Sequence, residues 1–468
     1  MTTATIEQLI QAIGPEKVKT DDITLQERRR DYSVTNELAD LQGRGAPKPA
    51  CVVLPANTQD VVDIVKICNE KKALLIPFGL GSGVCGAIIA TPETILLDMS
   101  AMKRIRKIDK KNLLATFDAG MRGSDAENAV QKEGMTIGHF PQSIELSTVG
   151  GWVATRSSGQ FSSAYGSIEN VVMSLEIVLP NGEVLETRMT PRAAAGPDLN
   201  HIFMGSEGTL GIITAVTFSL RWKAEKQEYT AFYAPSMEQG FELQRYIIQS
   251  GWTPPVMRQY DYRETKRNFE GYERGDDSIL IMVHEGPKGR VEAEIKECLE
   301  IAKDLKCDPA PTETVTKWMG NRNHVAGWDE YLNQNIILDT IEMAATWDKI
   351  GPIYHDAIAS LNEVDKMLNA SAHSSHAYRS GINLYFTFAS LSADASKMDD
   401  MYHDCWRRVM EATIKGGGGI SHHHGIGRVR RNYMTAEIGQ TGVNLLRNMK
   451  KTIDPNNILN PDILIPNE

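Results

Sequence analysis

His422, His423 and His424 stand in a row, with four glycines (Gly416 to Gly419) before them and Gly425-Ile426-Gly427 after them. Three of the chain's 11 histidines thus share one short loop. Imidazole exchanges protons near neutral pH more readily than other side chains, and it is also the commonest metal ligand. Glycine neighbours let backbone pass close to a bound group. Three readings fit the residues alone. The loop can hold a metal, serve as an acid/base and oxyanion cluster, or be purely structural. A metal site needs further converging ligands, and His373 and His376 are candidates.

A second cluster is Gly79-Leu80-Gly81-Ser82-Gly83-Val84-Cys85-Gly86. It follows the apolar run Ala73-Leu74-Leu75-Ile76-Pro77, which reads as a strand. Bare backbone N–H groups in such a loop can wrap a diphosphate. The spacing matches neither a Walker A motif nor the dinucleotide fingerprint. A tight turn would read the same way.

These loops need elements to hold them. Cys51 to Pro55 reads as a strand. Thr58 to Lys71 reads as a helix with Thr58 as its N-cap, because Val61, Ile64, Val65 and Cys68 fall on one face. Thr94 to Leu97 and Leu113 to Phe117 add strands. Pro180-Asn181-Gly182 between Val171–Leu179 and Val184–Arg188 signals a hairpin. Helices are expected over Pro287–Asp304 and about Gly442–Ile453. The run Arg428, Arg430, Arg431 is expected on a solvated helix face.

Bulk composition narrows the class. The 468 residues are 41% hydrophobic and 24% charged, enough for a sizeable core. A net charge of -10 without a long basic run argues against nucleic acid or anionic membrane as bulk partners. No apolar run suits a bilayer span, and the N-terminus lacks a signal-peptide pattern. The six cysteines contain no CxxC pair. Reduced thiols and a cytoplasmic location are the expectation.

Three segments carry a resemblance. They are the loop above, Pro141-Gln142-Ser143-Ile144-Glu145-Leu146-Ser147-Thr148-Val149-Gly150-Gly151 with its continuation to Tyr165, and Gly205-Ser206-Glu207-Gly208-Thr209-Leu210-Gly211-Ile212. Together they resemble the FAD-binding domain of the vanillyl-alcohol-oxidase (PCMH-type) flavoprotein superfamily, over essentially the whole chain. The resemblance implies an α+β protein. A two-lobed FAD domain (about 1–224) would be followed by a cap domain with an antiparallel sheet and helices (about 225–415). A C-terminal segment (416–468) would return to the FAD domain. It also implies which residues hold FAD. Pro77, Phe78, Gly79, Leu80, Gly81, Ser82, Gly83 and Val84 would wrap the diphosphate. Pro141, Gln142, Ser143, Ser147, Thr148, Gly150, Gly151, Thr155, Ser157, Ser158, Gly159 and Tyr165 would line the flavin. Glu207, Gly208, Gly211, Ile212 and Ile213 would contact the adenosine side through backbone. The first loop has no histidine, so FAD is expected without a covalent tether.

The branch pattern is mixed. Ser421 to Gly427, Tyr378 in Ala377-Tyr378-Arg379-Ser380-Gly381, Glu342 to Asp348, and Arg258 resemble motifs of alkylglycerone-phosphate synthase. Where that family binds substrate phosphate with an arginine, this chain has Trp328. Trp318-Met319-Gly320-Asn321-Arg322 instead resembles the carboxylate-holding segment of FAD-linked D-lactate and glycolate dehydrogenases. The metal-ligating segments of those dehydrogenases are absent, and no metal is expected. The expectation is an FAD-dependent oxidase or dehydrogenase of an alcohol or 2-hydroxy acid. Tyr378 with His423 or His424 would form the proton relay, His422 would belong to the same catalytic cluster, and Arg258 and Arg322 would bind an anionic substrate. The alternative is synthase-like alkyl transfer without net redox, and a third reading is a non-catalytic electron-transfer subunit. The resemblance further implies a homodimer. Oxygen or an electron-transfer protein are candidate acceptors.

Overall fold

The computed structural model describes residues 3–325 and 327–466. The first sheet runs in the order Val18–Lys19, Cys51–Val53, Ile95–Asp98, Leu75–Phe78. Cys51–Val53 and Leu75–Phe78 both run parallel to Ile95–Asp98. Parallel neighbours need a crossover, and the helix Thr58–Lys71 supplies one. Its predicted apolar face, Val61, Ile64, Val65 and Cys68, is fully buried. The cap is Asn57, not Thr58. The Asn57 side chain accepts from the Asp60 N–H, while the Thr58 hydroxyl is drawn across to Glu176 at 2.6 Å.

A second sheet is antiparallel, in the order Ile105–Asp109, Leu114–Asp118, Ile212–Ser219, Val172–Val178, Val184–Glu186. The hairpin forms where Pro-Asn-Gly predicts it.

The largest sheet has eight antiparallel strands. Its main path runs Asp308–Pro309, Lys226–Ala234, Ser278–Gly286, Val256–Tyr260, Met367–Ser374, Gly381–Leu391, Ile336–Thr346. Ala377–Tyr378 pairs with Gly381–Leu391 off this path. Side chains alternate across a strand. Met257, Leu280, Met282, Ala370, Ala372, Leu384 and Phe386 enter one core together with residues of the helices Met237–Gln249, Trp347–Asn362 and Met398–Lys415. Tyr260, Ile279 and Ile281 belong to a different cluster, with Phe161 and Phe140 of the first half of the chain. By the same alternation Arg258, Glu342, His373 and Tyr385 share that second face. The sheet therefore buries one face under its helices and turns the other, apolar at Ile279 and Ile281 but polar at these four positions, toward the first half of the chain.

The C-terminal helix begins at Met434, earlier than the expected start, and Gly439 interrupts it with φ +70°. The tail then returns to the first sheet, where the Leu75 N–H donates to Ile458 and the Asn460 N–H donates to Leu75. All six cysteines are buried and unpaired. Among the described residues no helix is long and apolar enough to cross a membrane.

Candidate active site

The histidine loop is hung from one carboxylate. Glu342 accepts backbone N–H bonds from His422 and, at 2.8 Å, from His424, and a 3.2 Å bond from the Ser421 hydroxyl. Arg430 pairs with it at 3.1 Å, and both side chains are fully buried. For Arg430 this corrects the expectation of a solvated arginine face; Arg428 and Arg431 are half-buried. The Arg430 guanidinium also donates to the Gly425 carbonyl and to Cys85 Sγ, and it lies over the Trp406 ring. Burial alone would raise the Glu342 carboxyl, but Arg430 and the neighbouring histidines hold it below its ordinary value. On the other side of the loop, Glu207 accepts the N–H groups of Ile426 and Gly427 at 2.6 and 2.9 Å. Burial pushes its carboxyl up to about 7. Gly427 sits at φ +51°, and a Cβ there would lie 2.0 Å from the Cys85 carbonyl oxygen. Only glycine lets the tail cross so close to the glycine loop.

The rings form a path. Tyr378 Oη is 2.6 Å from His422 Nε2, and His422 Nδ1 is 2.8 Å from His423 Nδ1. Burial lowers His422 to about 4 and pushes the Tyr378 phenol up to about 12. At neutral pH the phenol is therefore the donor and His422 Nε2 the acceptor. The partner predicted for Tyr378 was His423 or His424; the structure gives it His422. His424 instead meets Tyr385 Oη at 3.3 Å, and Thr340 donates to that same oxygen. His376 stacks on His422 at 4.7 Å, with its Nδ1 2.5 Å from the Ser162 hydroxyl. One ring nitrogen each from His376, His422 and His423 lies within 4.8 Å of the others, so these three could hold a metal. A tetrahedral ion would space two ligand nitrogens about 3.3 Å apart. The shorter His422–His423 separation suits a hydrogen bond better.

The two arginines expected to bind an anion rest on aromatic rings. Arg258 lies over Trp318 and Tyr260, and Arg322 over Phe140 and Phe161. The Arg322 guanidinium donates to Gln160, at 2.7 Å. Among the described residues neither arginine has a carboxylate partner. Burial lowers His376, and the Arg258 charge adds to that; burial raises the Tyr385 phenol, and the Arg258 charge opposes the rise without reversing it. Trp328 packs against Tyr32 at 5.9 Å.

The three glycine-rich segments converge. A Cβ on Gly208 would meet Pro77, and one on Gly79 would meet the Thr148 hydroxyl at 2.7 Å. Between Leu80 and Gly86 no backbone N–H has a hydrogen-bond partner among the described residues. Such a loop fits a diphosphate. Thr148 caps the short helix Val149–Ala154, and Thr155 bonds back to Gly151. Ser147 receives the Trp152 indole N–H and bonds to the Ser143 carbonyl, and Ser158 bonds to Ser167. Gln142 reaches the His324 carbonyl, and Tyr165 reaches Glu285, so both tie this segment to the large sheet's half of the chain. Gly159 packs against Phe140, and Phe78 is buried beside Val52 and Leu96. Ile212 and Ile213 point into cores, which leaves only their backbone for a ligand.

His139 stayed outside the expected site and proves fully buried. It bonds to Ser157 at 2.9 Å and lies against Trp152. Burial lowers it to about 3. It thus stays neutral when folded but takes a proton in the unfolded chain below its ordinary value. The unfolded state then binds more protons, so stability should fall as pH drops from about 6.5 toward 3, by up to about 1.4 kcal/mol per pH unit. Urea unfolding at several pH values should show a shallower fall for His139→Asn. An identical pH slope would remove His139 from this effect.

The comparisons with known proteins agree with this layout. A family described as FAD binding domain matches residues 49–188. One described as FAD linked oxidases, C-terminal domain, matches residues 223–463, more than half of the chain. This chain belongs to the FAD-linked oxidase family. Its cofactor is FAD. An uncharacterised FAD-linked oxidoreductase, YgcU of Escherichia coli (strain K12), is 33% identical, with 99% of each chain covered. Alkyldihydroxyacetonephosphate synthase of Dictyostelium discoideum is 30% identical over 97% of this chain and 79% of that one. Glycolate oxidase subunit GlcD of Bacillus subtilis (strain 168) is 27% identical, covering 97% and 95%. A solved alkyldihydroxyacetonephosphate synthase superposes with TM-score 0.82 at 27% identity, over 98% of this chain and 86% of that one. For this FAD-linked oxidase family member, then, the PCMH-type fold and the flavoenzyme class both stand.

Tyr385 and Glu264 were not placed in the site by their sequence, His373 only as a candidate metal ligand, and Glu342 only as part of a motif. The period-two pattern of Gly381–Leu391 puts Tyr385 opposite the helix-packed Leu384 and Phe386, which is the signal that could have found it.

Proposed function

We propose that this FAD-linked oxidoreductase oxidises an alcohol or 2-hydroxy acid that carries an anionic group. The observation that carries this reading is the hydrogen-bonded path Tyr378–His422–His423. When bound, FAD supplies the hydride acceptor. The residues of the glycine loop, the Ser147–Gly159 segment and the Gly208–Ile213 backbone hold it. Cys85 is the one thiol in the loop, and burial pushes it up while Arg430 and Gly425 engage it. That supports non-covalent attachment.

Tyr378 and His422 manage the substrate's hydroxyl proton. His422 is a neutral acceptor, so a proton arriving at Tyr378 can pass onward to His422 and His423 without charging a buried group at the start. Arg258 and Arg322, neither with a carboxylate partner among the described residues, attract the anionic group. The FAD-binding half (about 1–224), the cap (about 225–415) and the tail that carries the histidines (416–468) meet around these side chains.

The test is an anaerobic titration of the yellow holoenzyme with hydroxy acids, alcohols and acyl-dihydroxyacetone phosphate, followed by the visible flavin band. Complete bleaching by a hydroxy compound is the expected result. If only the acyl phosphate perturbs the flavin and fatty acid is released, the oxidation reading is wrong and alkyl transfer replaces it. The relative in Dictyostelium keeps that second reading open, while Trp328 opposes it. An unchanged spectrum across the panel would favour a non-catalytic subunit.

A further inference from the structure

Resting on the reading of Arg258 as the site of the substrate's anionic group, we propose that Glu264 and His373 are positioning residues for it. His373 Nε2, kept free of a proton, fixes the Arg258 guanidinium to face an incoming oxyanion.

The polarity of this contact has one solution. Arginine only donates, so the 2.8 Å contact between Arg258 Nη2 and His373 Nε2 requires Nε2 to accept. The proton of the neutral imidazole then sits on Nδ1, which lies 3.2 Å from Glu264 Oε2. Burial holds His373 below its ordinary value even with Glu264 pulling the other way. Glu264 is buried too, and its Oε1 already receives Thr387 at 2.7 Å and Arg267 at 2.9 Å. Only Oε2 faces the imidazole. The His373 ring is clamped between Tyr260 and Tyr385, nearly parallel to both, at 5.2 and 4.8 Å. Tilting it would cost both stacks, and turning its nitrogens around would cost the contacts to Arg258 and Glu264.

Arg258 has a second anchor, from Nε to Tyr260 Oη at 3.0 Å. Its guanidinium is a rigid planar fork. Holding Nε and Nη2 therefore sets the direction of Nη1, which has no hydrogen-bond partner among the described residues. A cation fixed this way gives an oriented, charge-assisted contact instead of a diffuse attraction. The proton path described above uses neither Glu264 nor His373.

The experiment is calorimetric titration of the FAD-loaded protein with oxalate and with inorganic phosphate. Arg258→Leu should weaken binding by about 10–100-fold, the size of a lost charged hydrogen bond. His373→Leu should weaken it comparably. His373→Gln, whose amide oxygen can still accept from Arg258, should recover most of the loss. Glu264→Gln is the sharper variant. Thr387 and Arg267 oblige its oxygen to stay in place, so its NH₂ turns to His373. The imidazole proton is then driven to Nε2, against Arg258. Nitrogen-15 spectra of labelled histidine should show His373 as the Nδ1–H tautomer in the parent and the Nε2–H tautomer in this variant. A parent His373 with its proton on Nε2 overturns the inference. So does His373→Leu binding as tightly as the parent while Arg258→Leu loses affinity, a result that leaves the anion site itself intact. If Arg258→Leu binds as the parent does, or the parent binds neither anion, the anion reading fails and this inference falls with it.

Discussion

A Tyr378→Phe variant is expected to reduce its flavin about 10²–10⁴-fold more slowly than the parent. The phenol is the first member of the hydrogen-bonded path to His423, at 2.6 Å from His422. Its hydroxyl is held protonated near neutral pH, and His422 is held neutral, so each is in the state a transfer needs. Removing one oxygen cuts the path while leaving the ring, its packing and Arg258 in place. Anaerobic stopped-flow with whichever hydroxy compound bleaches the parent would measure the change, and substrate affinity should hardly move. Residues acting as one unit are not additive. Tyr378→Phe combined with His422→Gln should therefore be little slower than the worse single variant. An unchanged rate in Tyr378→Phe would take this tyrosine out of the chemistry.

The second large effect is on stability. Arg430→Met should destabilise the protein by about 3–5 kcal/mol, because it strands Glu342 as an unpaired buried charge. The carboxylate would keep its bonds from the His422 and His424 N–H groups but lose its cation. Adding Glu342→Gln to Arg430→Met should restore part of the loss, since both charges are then gone. Denaturant unfolding followed by tryptophan fluorescence is a suitable measure, as Trp406 lies directly under the guanidinium. A double variant less stable than Arg430→Met alone would contradict the buried-pair argument.

What could be read beforehand follows physical lines. The glycine segments were legible because diphosphate binding demands bare backbone, and little but glycine provides it. The Thr58–Lys71 helix was legible from its apolar spacing, although its cap was displaced by a partner 118 residues away. The Arg430–Glu342 pair was not legible. A basic run beside a glycine loop looks solvated unless the one carboxylate that neutralises it is known. Nor could the order of contacts among His422, His423 and His424 be read. Consecutive loop residues have no periodicity to say which ring faces Tyr378. Tyr385 and His373 follow from strand alternation, but only once the helix-covered face is known.

The clasp of Glu207 on Ile426 and Gly427 has a consequence for how the molecule is made. The histidine loop is tied to position 207, to position 342 and, through Arg428 and Val429, to the carbonyl of Cys85. The first of these closes a span of 219 residues. The three anchors lie in or beside three different sheets, so the loop is fully held only when all three are formed. The chemistry is therefore assembled only when these sheets are already in place, and a partly folded chain is an idle one.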